Sequence, residues 1–177
     1  MNKNYHMYKN ELIVELGNVL KELRTSSGMT QSELAKKVGM SRNTISNIEV
    51  GLHSITISRA DKILTVLGYD TASDILMNRI YERYPALVGD RDMPLNDIAS
   101  FISLASESAG VTQKSRAEKM LISRQLLYYI RRGKNNLKLT TVNCLFETIE
   151  LEDATTILCK HLLAQKAQRK LVSRCAI

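Results

Sequence analysis

The stretch TQSELAKKVGMSRNTISNIEVG, Thr30 to Gly51, leaves the chain few choices of local structure. Thr30 followed three residues later by Glu33 is a capping box, in which each side chain satisfies an otherwise unpaired N–H of a first helical turn. A helix therefore starts here. Gly39 supplies the positive-φ residue at which helices commonly stop, and Ser41 is placed to cap a second helix two residues on. The spacing predicts helix, tight turn, helix. Ala35 is small where the second helix crosses the first, and Leu34, Val38, Met40, Ile45 and Ile48 supply the apolar faces that meet. The outer face of the second helix is left polar, with Ser41, Arg42, Asn43, Ser46 and Asn47. Such side chains reach base edges in a major groove, arginine to guanine and asparagine to adenine.

Together with Gln31 and the closing Glu49 and Gly51, these residues make the stretch from Leu16 to about Tyr69 resemble the helix-turn-helix domain of the Cro/C1 (XRE) family of phage and bacterial regulators. Members of that family read x-T-Q-x-E-L-A-x-x-x-G-x-S-x-x-x-I-S-x-I-E-x-G. The resemblance implies an all-α, lambda-repressor-like bundle of five helices that binds double-stranded DNA sequence-specifically. It implies base reading by Ser41, Arg42, Asn43, Ser46 and Asn47, and contacts of Thr30 and Gln31 to the sugar-phosphate backbone. It also implies that Arg24 pairs with Glu49, the alternative being two solvated charges. The loop LHSITIS after Gly51 lies along the phosphates in the family. Here it carries His53, Ser54 and Thr56 in place of the lysines often found there, so its contacts are weaker or made by backbone N–H groups.

Composition agrees with a folded protein that has a polyanionic partner: 177 residues, net charge +7 and 44% apolar content. The N-terminus has no apolar segment of signal-peptide length, and no run approaches the roughly 18 apolar residues of a membrane span, so a cytoplasmic location and no membrane partner are expected. Cys144, Cys159 and Cys175 have no metal-like spacing and are read as reduced thiols, Cys159 on an apolar helical stripe. No metal, cofactor or catalytic residue is expected. The acids are scattered over helix surfaces, and two small bundles leave no residues for a catalytic domain.

In chain order, Met1 to Lys9 reads as a disordered leader or an arm that touches phosphates, and Asn10 as the cap of a first helix with Ile13, Leu16, Val19, Leu20 and Leu23 inward. Ser58 is read as the cap of a fourth helix ending at Gly68. Thr71 or Ser73 opens a fifth that Pro85 stops. Gly89, Pro94 and three charges mark residues 86–95 as a linker between a first domain, 1–85, and a second, 96–177.

The second domain repeats the first. Gly110, Thr112, Gln113, Ala117, Lys119, Ser123, Arg124, Ile130 and Gly133 repeat Gly28, Thr30, Gln31, Ala35, Lys37, Ser41, Arg42, Ile48 and Gly51 at a constant offset of 82. The offset also carries Leu16, Val19 and Leu20 onto Ile98, Phe101 and Ile102, and Ala72, Ile75 and Leu76 onto Ala154, Ile157 and Leu158. Two tandem five-helix bundles are therefore expected. The copy is degenerate, with Leu34 replaced by Arg116, Gly39 by Leu121, Glu33 by Ser115, and Arg24 and Glu49 by Ser106 and Arg131. It is also more basic, which is the footprint of a nucleic-acid surface. Arg124, Gln125 and Tyr128 are the base-reading candidates there, and Gln113, Lys114, Arg131, Arg132, Lys134 and Asn135 the backbone candidates. The alternative is that Tyr128 and Tyr129 pack on a neighbouring unit and the cations form a solvated face.

Beyond Asp153, a tail helix carries Ala154, Ile157, Leu158, His161, Leu162 and Leu171 as a stripe that closes the second bundle or forms a dimer seam, with His161 read as a packed histidine. The expectation is a homodimeric transcriptional repressor acting by promoter occlusion. A second reading is an antitoxin-like component whose first unit binds DNA and whose second docks a protein partner.

Overall fold

The computed structural model describes residues 3–85 and 137–175 and, between them, positions 110, 112, 114, 115 and 118. The described residues are all-helical: α1 (Lys3–Ser26), α2 (Gln31–Val38), α3 (Arg42–Glu49), α4 (Ile57–Leu67), α5 (Ala72–Arg83), α6 (Leu139–Thr148) and α7 (Ala154–Cys175).

The first helix starts at Lys3, so the expected leader is helical from Lys3 on, with Met1 and Asn2 outside the described residues, and Asn10 lies inside α1 instead of capping it. No proline or glycine precedes Gly17, so nothing in that stretch breaks the helix. Leu12, Leu16, Val19, Leu20 and Leu23 form its buried stripe. Gly17 sits where α1 crosses the end of α3. A Cβ there would fall 2.5 Å from the Ile48 carbonyl oxygen and 2.7 Å from that of Glu49. One turn away, Gly51 has φ +69°, and a Cβ on it would lie 2.7 Å from Val14 Cα. These two helices meet backbone to backbone, which only glycine permits.

The fourth helix begins at Ile57, one residue before the expected Ser58 cap. Its N-cap, Thr56, makes no side-chain capping bond. The cause is tertiary. The Ile57 N–H, an orphan donor of the first turn, donates to the Leu137 carbonyl at 2.8 Å. The arrangement is reciprocal: α6 also has a cap, Lys138, without a side-chain bond, and its first N–H, on Leu139, donates to the Ile55 carbonyl at 2.9 Å. Thr56 and Lys138 form an antiparallel bridge between these two bonds.

The bridge pairs counterparts that are 82 positions apart, and the offset holds for the helices that follow. Ile57 and Leu139 start α4 and α6, and Ala72 and Ala154 start α5 and α7. Gly68, at φ 77°, ends α4, while its counterpart Glu150 is the one non-glycine residue with positive φ, 54°, among the described residues. Asp61 accepts bonds from the N–H and hydroxyl of Ser73, at 3.0 and 2.6 Å. Asn143 Oδ1 accepts the N–H and hydroxyl of Thr155 in the same way, at 3.0 and 3.2 Å. Ala60, Ile63, Leu64, Leu67, Ile75, Leu76 and Ile80 are buried, as are their counterparts Val142, Leu145, Phe146, Ile149, Ile157, Leu158 and Leu162.

The apolar side chains of α1–α5 and α6–α7 form one continuous core. The tail helix packs against α1, α5 and α6, a position that the sequence alone does not indicate. Its polar side chains hold it there. Lys166 pairs with Glu22 of α1, Arg169 donates to the Gly68 carbonyl, and the Arg169 guanidinium lies 4.1 Å from the centre of the Tyr69 ring. His161, expected to be packed, is instead exposed and bonds Asp70 at 3.0 Å, which lowers the Asp70 pKa below its ordinary value. Leu171 also falls off the stripe and is exposed. Cys159 does lie in the core, where burial pushes its thiol up to about 12.

Candidate nucleic-acid interface

Local chemistry builds the α2–α3 element as its residues require. Thr30 Oγ1 accepts the Glu33 N–H at 3.2 Å, and Glu33 Oε2 accepts the Thr30 N–H at 2.7 Å. The Thr30 backbone and hydroxyl bonds hold the Glu33 carboxyl below its usual pKa. Gly39 takes φ +69° at the end of α2, Met40 N–H returns to the Ala35 carbonyl at 2.9 Å, and Ser41 Oγ caps α3 by accepting the Thr44 N–H at 3.0 Å. Leu34, Ala35, Val38, Ile45 and Ile48 are buried, as their spacing predicts, with α2 packed on α3 and α4, and α3 on α1.

A buried ion pair locks the far end of α3. Arg24 Nε donates to Glu49 Oε1 at 2.5 Å, and its second nitrogen to Oε2 at 2.9 Å. The remaining guanidinium nitrogen donates to the Met29 carbonyl at 2.6 Å, so the arginine also holds the α1–α2 turn. The Gln31 amide donates to Glu49 Oε2 at 2.9 Å. Gln31, assigned to the phosphate backbone by resemblance, thus spends one amide N–H inside the protein.

The pinned α3 leaves Ser41, Arg42 and Asn43 exposed on its first turn, with Ser46 and Asn47 half-buried on the next. The helix N-terminus adds partial positive charge beside Arg42. Lys36 and Lys37 are exposed in the last turn of α2, directly before the turn into α3, and are basic positions that the motif reading passed over. In the loop that follows, His53 is exposed. Ser54 is half-buried, and its Oγ accepts the Thr140 N–H at 3.3 Å, so this serine faces α6 on one side. Backbone N–H groups of the loop are partly used internally, Gly51 to Ile48 and Leu52 to Asn47.

In the second half, Gly110 has φ +68° as Gly28 has +69°, and Thr112 Oγ1 accepts the Ser115 N–H at 3.2 Å as Thr30 does from Glu33. Half of the capping box therefore survives the loss of its glutamate. Lys114 is helical and exposed. Gln113, Arg124, Gln125, Tyr128, Arg131, Arg132, Lys134 and Asn135 lie outside the described residues. Among the described residues there is no cluster of metal-ligating side chains, and no helix is long and apolar enough to cross a membrane.

Residues 20–73 match the helix-turn-helix family. Over 53 residues, 30% of this chain, the sequence is 45% identical to the antitoxin HipB of Escherichia coli K12, and it spans 60% of that protein's length. An uncharacterized HTH-type transcriptional regulator of Methanothermobacter thermautotrophicus is 37% identical over 59 residues, 33% of this chain and 86% of that protein. A second such regulator, of Archaeoglobus fulgidus, is 47% identical over 49 residues, 28% of this chain and 70% of that protein. No solved structure matches the chain. The chain covers more than two thirds of each of these two regulators, and it belongs to the XRE-type helix-turn-helix family.

Proposed function

We propose that the chain is a sequence-specific double-stranded-DNA-binding regulator that represses transcription in the cytoplasm by occluding a promoter. The observation that carries this reading is the first turn of α3, where Arg42 and Asn43 stand exposed on a helix that the buried Arg24–Glu49 pair and a packed apolar face hold rigid. Groups that read bases need such a support, because a loose helix loses the register that base-edge bonds require. Ser41, Ser46 and Asn47 complete the reading face, and Thr30, Gln31, His53 and Ser54 contact the backbone.

The proposal extends to the domain division, with residues 1–85 and 96–177 as two helix-turn-helix units joined by residues 86–95. The shared helix starts, hydrogen bonds and burial at the offset of 82 support it. In the second unit, Arg124, Gln125 and Tyr128 read bases, and Gln113, Lys114, Arg131, Arg132, Lys134 and Asn135 hold phosphates. Two recognition helices reach one face of the duplex either from a homodimer or from the two units of one chain.

Selection of bound sites from random duplex DNA tests this. One enriched site class with information at several adjacent base pairs is expected, and recovery of unenriched DNA would refute sequence-specific binding. The likeness to HipB, named an antitoxin, favours a second reading in which the second unit docks a protein partner. Co-purification with a stoichiometric small partner would support it.

A further inference from the structure

Two sets of contacts between the halves are self-complementary. Exchanging each residue for its counterpart 82 positions away turns the Ile57-to-Leu137 bond into the Leu139-to-Ile55 bond, which is also present. The same exchange maps the packing of α5 on α7 onto itself. An open groove between these helices is lined by the counterpart pairs Ile75 and Ile157, Asn78 and Lys160, and Arg79 and His161. A contact set in which i touches j and the counterpart of j touches the counterpart of i is what a two-fold axis produces. In a homodimer such a surface joins two chains. Here both sides belong to one.

We propose that the chain is its own dimer, and that one copy, with no second copy recruited through α5, binds the duplex. This rests on the DNA-binding reading above and specifies its stoichiometry. Two observations carry it. Each of α4 and α6 lacks a side-chain cap and has its first N–H satisfied by the other half, so neither start is complete alone. The two halves share one core, which leaves the pairing surface of α5 already covered. Symmetry is broken at the edges of the groove. His161 bonds Asp70, whereas Arg79 bonds Glu82 and Lys160 bonds Glu152.

The bridge supplies the test. Thr56 and Lys138 are opposed with the ladder bonds on either side of them, the antiparallel arrangement in which Cα atoms stand about 4.5 Å apart. That spacing is within disulfide reach. In a full-length chain with Cys144 and Cys175 replaced by serine, Thr56→Cys with Lys138→Cys should form a disulfide within one chain under mild oxidation. The product should run as a 20.0 kDa species, and light scattering of the unsubstituted protein should give the same mass. Native mass spectrometry with a selected duplex should then show one chain per duplex. An interchain disulfide, or none, would overturn the internal pairing, and two chains per duplex would overturn the stoichiometry while leaving DNA binding intact. An intrachain disulfide in a monomer that binds no duplex would instead sink the DNA-binding reading and leave the internal pairing standing.

Discussion

Replacing Arg24 or Glu49 tests how the recognition helix is held. The Glu49 side chain is 3% exposed and that of Arg24 8%, so each charge relies on the other for most of the solvation it gave up on folding. The carboxylate accepts two bonds from the guanidinium, at 2.5 and 2.9 Å, and one from Gln31. Arg24→Ala leaves it with the neutral Gln31 amide. Two unit charges about 4 Å apart attract by about 4 kcal/mol at an effective dielectric constant near 20, and removing one partner of a buried pair costs about 3–5 kcal/mol. Arg24→Ala and Glu49→Ala should therefore each lower stability by about 3 kcal/mol, a large part of the roughly 5–15 kcal/mol of a typical protein. Guanidinium unfolding followed by far-ultraviolet circular dichroism measures this. The double variant should be destabilised by less than the sum of the two, with a coupling of about 2 kcal/mol. Single effects below about 1 kcal/mol, or additivity within about 0.5 kcal/mol, would show that the pair does not hold α3 to α1.

Three further changes probe the α1–α3 crossing, the Asp61 carboxylate and the basic residues of the second half. Gly17→Ala should destabilise the protein by about 1–3 kcal/mol, because its Cβ meets two backbone carbonyl oxygens of α3; an ordinary helix glycine would instead gain up to about 1 kcal/mol, so a rise in thermal midpoint refutes the backbone contact. Burial raises the Asp61 pKa, so the folded protein takes up that proton before the unfolded chain does, and the site's cost to stability at neutral pH disappears as pH falls through the raised value. Asp61→Asn, which copies Asn143, should be within about 1 kcal/mol of wild type or above it at pH 7, with the difference moving in favour of wild type on acidification; parallel pH curves would contradict this. Neutralising Arg131, Arg132 and Lys134 together should flatten the slope of log affinity against log salt by about 0.9 for each phosphate that is no longer neutralised, and an unchanged slope would assign the second unit to a protein partner.

What could be read from the residues alone was set by how local its causes are. The Thr30 box, the Gly39 stop and the Ser41 cap each act within four positions, and the structure builds α2 and α3 as their spacing indicates. The start of α4 depends on the carbonyl of Leu137, far along the chain, so the best local cap, Ser58, was the wrong landmark. The docking of α7 escaped for the same reason. Lys166, Arg169 and His161 look like solvated or packed tail residues until Glu22, Tyr69 and Asp70 are brought to them by the fold. Gly17 did carry a signal, since a glycine inside an apolar helical stripe often marks a close approach, but its partner on α3 is not visible in sequence. Gln31 shows the limit of resemblance, because its bond to Glu49 gives it a structural role beside any phosphate contact.

Base reading by the first turn of α3 is tested by measuring the affinities of Arg42→Ala and Asn43→Ala for a selected site and for random duplex DNA at one salt concentration. Both side chains are exposed, so the fold should be unchanged. Each substitution should cost about 1–3 kcal/mol on the selected site and little on random DNA, with preference relaxed at the contacted base pair. Equal reductions on both kinds of DNA, or no reduction on either, would contradict the assignment of α3 as the reading helix.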